Sequence, residues 1–134
     1  MPDPHRGLIY TMVIVSAVEK ELQQSELQTI ADIVGHLPVF RDFDRHSLPG
    51  LLNDCTELLG SDEGLEKTLD AIKAALPAKL RETAYAIACD LVASDGEATQ
   101  EELQMLELIR HRLNMERLVA AAIERGARAR FQTV

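Results

Sequence analysis

Leu8 to Val18 is the stretch that most limits what this 134-residue chain can fold into, because only Tyr10, Thr11 and Ser16 interrupt its apolar run. A bilayer-spanning helix needs about 20 such residues, so the stretch is too short to cross a membrane. A helix that is apolar on every side has no face to offer water, and it must lie inside a bundle with other helices around it. The composition supplies those neighbours. The chain is 46% hydrophobic, mostly Ala, Leu, Ile and Val, with no Trp, three Phe and two Tyr, a balance that suits packed helices better than sheets.

The neighbours can be read in order. Leu8 to Glu19 is the first helix. Leu27, Ile30, Ala31, Val34 and Leu37 recur at three- and four-residue steps and predict a second, stopped by Pro38. After a connector to Asp44, Ser47 and Pro49 open a third helix, carried by Leu51, Leu52, Cys55, Leu58 and Leu59 and ended by Gly60. From Ser61 a fourth follows on Leu65, Leu69, Ile72 and Leu76, and Pro77 opens a fifth that runs to Ser94. Thr99 and Glu102 form a capping box for a sixth helix ending near Leu113. Asn114 is expected to cap a seventh, built on Met115, Leu118, Val119, Ala122 and Ile123, with Gly126 as its left-handed C-cap. The expectation is an all-α fold: a single compact bundle of about seven helices over residues 1–134.

Sliding the chain along itself by 76 positions pairs Ala17 with Ala93, Glu21 with Glu97, Gln24 with Gln100 and Glu26 with Glu102. The apolar register follows in Leu27 with Leu103, Ile30 with Leu106, Ile33 with Ile109 and Leu37 with Leu113. Periodicity alone can align two amphipathic helices, but it does not force the polar matches. Two related helix-turn-helix halves are therefore expected, at approximately 7–38 and 83–114. If they pack about a pseudo-twofold axis, their two acidic turns lie side by side.

Charge and motifs remove several function classes. A net charge of −8 is the wrong sign for a phosphate backbone, so no nucleic-acid partner is expected. Arg125, Arg128 and Arg130 gather near the end of the chain, where they complement a helix C-terminus. Cys55 and Cys89 read as two reduced core thiols, and the start lacks the features of a secretory signal, so a cytoplasmic location is expected. No phosphate loop, His pair or nucleophile constellation is present, and His5, His36, His46 and His111 are scattered. No enzymatic activity is expected.

The acidic turns carry the remaining chemistry. The second reads Ser94-Asp95-Gly96-Glu97-Ala98-Thr99-Gln100-Glu101-Glu102 and has the spacing of the second half of a calcium loop. The first half of such a loop is missing, since Leu91 and Ala93 stand where its early carboxylates belong. A cation there must recruit acids from elsewhere: Glu19, Glu21 and Glu26 of the first turn, or Asp90, all hard oxygen donors that suit calcium or magnesium. The plainer reading makes Glu102 the capping partner of Thr99, and Asp95-Gly96 ordinary turn chemistry. Asp90 shares its helix face with Ala86, Cys89 and Ala93, so partial burial and a partner are expected, an Arg or backbone donors before a cation.

At these residues the chain resembles the tellurite-resistance TerB family, whose mark is an all-helical domain with two Ala-Asp-Gly-Glu turns, each followed by Glu-Leu. Ala93-Ser94-Asp95-Gly96-Glu97 through Glu102-Leu103 matches well, while Ala17-Val18-Glu19-Lys20-Glu21 through Glu26-Leu27 keeps the frame, with Lys20 in the acidic cluster. The resemblance implies a cytoplasmic stress-response protein associated with tellurite resistance, with protein partners near the inner membrane and no transmembrane segment. It assigns a divalent cation to Asp95, Glu97 and Glu102, with Glu19, Glu21 and Glu26 as weaker counterparts. The alternative is a metal-free helical adaptor that mediates protein-protein interaction, with Lys20 pairing Glu21 or Asp95 in place of the cation.

Overall fold

A computed structural model describes residues 3–18, 21–94 and 96–134 of the chain. Among them are seven α-helices: α1 (Pro4–Ser16), α2 (Gln24–His36), α3 (Leu48–Leu59), α4 (Gly64–Ala75), α5 (Ala78–Ser94), α6 (Gln100–Arg112) and α7 (Arg117–Arg130). Two 3-10 turns, Pro38–Phe40 and Arg45–Ser47, make up much of the connector between α2 and α3. No strand occurs among the described residues.

The two most buried helices form the centre. In α1 every residue from Gly7 to Val15 is buried. It packs chiefly on α5 and α4, with α3 also against it, while α5 carries α7 and α6 on its other sides. The one polar side chain in that buried stretch besides Tyr10 is Thr11, whose hydroxyl donates to the Gly7 carbonyl at 2.8 Å, so no donor is stranded. The Tyr10 hydroxyl accepts from an Arg6 guanidinium nitrogen at 2.6 Å. At the α1–α4 crossing, a Cβ on Gly7 would lie 2.9 Å from Leu76 Cγ, so the missing side chain sets how closely these helices approach.

Helix boundaries follow local chemistry, sometimes against expectation. Asp3 accepts from the Arg6 N–H at 3.3 Å and Pro4 sits at N1, so α1 opens a turn before the apolar run. Gly60 ends α3 with φ −79°, a right-handed value, and the left-handed turn residue is instead Glu63 at φ 53°. Asn114 was expected to begin α7 but terminates α6. Its φ is 55°, its N–H donates to the His111 carbonyl, and the Met115 N–H donates to the Arg110 carbonyl, which is the Schellman arrangement. Gly126 was expected to end α7, yet the helix runs on to Arg130. Ala127 is buried in that last turn and Arg130 pairs with Asp90 of α5 at 2.5 Å, so tertiary contacts hold the extra turn in place.

Both thiols are free and buried, as expected. Burial pushes each up to about 12, well above the ordinary thiol value.

Candidate functional site

The 76-residue spacing in the sequence has a counterpart in the helices. α2 spans Gln24–His36 and α6 spans Gln100–Arg112, the same segment at that spacing. Each begins with a glutamate at its third position turned back on the chain. Glu26 Oε1 accepts from the Gln23 N–H at 2.8 Å and Glu102 Oε1 accepts from the Thr99 N–H at 2.9 Å. The second turn completes the capping box, with the Glu102 N–H donating to the Thr99 hydroxyl at 3.1 Å. In the first, the Gln23 amide instead donates to the Glu21 carbonyl at 3.0 Å.

The turns meet. Glu26 and Glu102 line one small cleft, whose apolar wall is Val15 of α1 and Leu91 of α5, a second pair at the same spacing. The remaining lining side chains are the hydroxyls of Ser16, Thr29 and Ser94. Ser94 donates to the Leu91 carbonyl at 2.9 Å and Thr29 to the Ser25 carbonyl at 3.0 Å, which leaves their oxygen lone pairs as acceptors. Among the described residues neither glutamate takes part in an ion pair, and each commits one carboxylate oxygen to its cap. Two like charges thus share a cleft whose polar side chains offer oxygen alone, a donor set that suits a hard cation.

The other acidic residues divide. Glu21 is exposed and does not line the cleft. Glu97 is exposed and lines a different, larger space. Glu19, Lys20 and Asp95 lie outside the described residues. Among the described residues no group of three or more His, Cys, Asp and Glu side chains is placed to hold a metal ion. Asp90 is one-third exposed and paired with Arg130, in line with the expectation of an Arg partner. The cleft hydroxyls were not read from the sequence. Only the alignment of Val15 with Leu91 pointed toward them, and it is a match any pair of apolar helices could show.

The larger space is a groove of about 560 Å³ with α5 as its floor and α6 and α7 as its walls. Tyr85 and Cys89 of α5 lie at the bottom, and the Tyr85 hydroxyl donates to Glu124 Oε2 at 2.5 Å. Burial, reinforced by that carboxylate, holds the Tyr85 proton well beyond the ordinary phenol range.

Seven helices packed about the buried pair α1 and α5, with a glutamate folded back on the starts of α2 and α6, define a small all-helical domain. The family model for tellurite resistance protein TerB matches residues 5–124, and the chain belongs to that family. Comparison with curated proteins and with solved structures gives no significant match. No helix among the described residues is long and apolar enough to cross a membrane.

Proposed function

We propose that this domain, tied by its family to tellurite resistance, acts as a cytoplasmic, non-enzymatic stress-response protein that holds a divalent cation between its two acidic turns. The observation that supports it is the pairing of Glu26 with Glu102 in one cleft without a cationic side chain among the described residues. A bound cation relieves their mutual repulsion and takes the free carboxylate oxygens as ligands, with the Ser94 and Thr29 hydroxyls at hand. In this reading the two halves are copies of one hairpin, and the site exists because both copies contribute the same glutamate.

Capping gives the test its control. Gln fills the third position of a capping box as Glu does, so Glu26→Gln with Glu102→Gln removes both charges and keeps the helix starts. Titration calorimetry with calcium, magnesium and manganese should show saturable heat for the natural chain and none for the double variant, with helicity unchanged. No heat for the natural chain, or equal heat for the variant, removes the cation from the account.

A further inference from the structure

The groove between α6 and α7 has no role in the cation reading and stands independently of it. Carrying the 76-residue spacing past the hairpins pairs Leu48 with Glu124, Leu51 with Ala127 and Leu52 with Arg128. In the first half all three leucines of α3 pack on the core, Leu51 at 7% exposure. In the second half the corresponding side chains of α7 are a carboxylate, a methyl and a guanidinium, and all three line the groove. The groove side of α7 thus carries short or charged side chains at the positions 76 residues after three leucines of α3. α6 and α7 pack against α5 and scarcely against each other, so the groove stays open along its length.

Its lining is mixed in a specific way. Tyr85, Cys89, Val92 and Leu106 make an apolar floor and lower wall, and Leu103 stands at the edge with 49% exposure. The ionic groups are Glu97, Glu107 and Glu124 against Arg128. Glu107 is paired with Arg110 and His111, whereas Glu97 and Glu124 have no ion pair among the described residues. A volume of about 560 Å³ falls in the range of built recognition sites, roughly 300–1,000 Å³. A trough between two helices, with an apolar floor and an acidic rim, complements a third helix that has an apolar stripe and basic flanks.

We propose that this groove docks a basic amphipathic helix of a partner protein, whose leucine-sized side chains fill the space between α6 and α7 while its lysines or arginines meet Glu97 and Glu124. The probe is a fluorescein-labelled, capped Leu/Lys peptide of about four helical turns, with leucines at i, i+3 and i+4 spacing. Two companions accompany it: the same composition in scrambled order, and the patterned peptide with Glu for Lys. Anisotropy titrations should show saturable binding of the patterned Lys peptide, and at least about tenfold weaker binding of both companions. Ala127→Leu, which enlarges a side chain lining the groove, should occlude it and weaken the peptide by a similar factor. Should that variant fold poorly, Leu103→Lys changes an edge position and should weaken binding equally. Glu26→Gln with Glu102→Gln should leave the peptide affinity unchanged, which separates this surface from the cation cleft. Equal binding of the scrambled peptide would reduce the effect to attraction by the net charge of −8 and overturn the proposal. Indifference of the affinity to Leu103→Lys, or a self-associating chain whose dimer Leu103→Lys dissolves, would overturn it as well.

Discussion

Replacing Gly7 with Ala tests the packing of the central helix at the point where it is tightest. Gly7 lies in the first half of α1, where an alanine ordinarily stabilises a helix by about 0.5–1 kcal/mol over glycine. Here the new Cβ would sit 2.9 Å from Leu76 Cγ, 3.0 Å from Leu76 Cδ2 and 3.1 Å from Ala75 Cβ. Leu76 is 3% exposed and Ala75 6%, so neither can swing into solvent and the α1–α4 crossing must widen. Overpacking of this kind costs about 1–3 kcal/mol, which exceeds the propensity gain and leaves a net loss of roughly 0.5–2 kcal/mol. With about 2.1 cal/mol/K of unfolding entropy per residue, the midpoint should fall by about 2–7 °C. Gly50→Ala is the control, because no heavy atom lies within 4 Å of its added Cβ. The control should hold or raise the midpoint. Thermal melts followed by helical circular dichroism, repeated in urea, read both. A Gly7→Ala protein as stable as Gly50→Ala would refute the close approach of α1 to α4.

Two further perturbations follow from local geometry. Asn114 holds a left-handed conformation at φ 55°, so Asn114→Gly should be neutral or stabilising by up to about 1 kcal/mol and Asn114→Ala destabilising by a similar amount, measured by urea unfolding. The opposite order would mean that α6 does not end in the Schellman turn. Burial raises Cys55 and Cys89 to about 12 and raises Tyr85 as well, so the unfolded chain gives up these protons first as the solution becomes alkaline. The thiols' stabilising contribution is complete below the ordinary thiol value and is lost as pH climbs toward about 12, and that of Tyr85 falls only from the ordinary phenol value upward, at up to about 1.4 kcal/mol per pH unit for each group. Thiolate absorbance should then rise together with unfolding, and a rise near pH 9 in protein that is still folded would contradict the burial of both thiols.

What the chain disclosed in advance was governed by how local the signal was. α2 and α6 were legible because a 3.6-residue stripe, a glutamate at the third position and, for α2, a following proline all act within a few residues. The helix α1 starts at Pro4 and not at Leu8, because the cap at Asp3 and the proline after it lie outside the apolar run. Asn114 suits either end of a helix, and only the hydrogen bond from Met115 to Arg110 decides which. Gly126 misled for a different reason. A glycine can end a helix, but Ala127 and Arg130 have partners on α5 that outweigh that tendency. At the site, the sequence offered Glu26 and Glu102 as equivalents, while their sharing of a cleft depends on how α1 and α5 lie together. The groove was illegible for the same reason, since Ala127 looks like any helix-forming alanine until the space beside it is known.

The central position of α1 and α5 bears on how the domain would respond to anything that engages it. α1 is enclosed from Gly7 to Val15, whereas α7 buries only Ala120 and Ala127, so opening α1 exposes far more of the core than opening α7. The acidic turns begin where α1 and α5 end, so an event at the turns acts on the two helices that bury the most residues. An event in the groove instead moves a peripheral helix against a fixed floor. The two surfaces are thus unequal: one joins onto the buried centre of the domain, the other is bordered by a helix at its periphery.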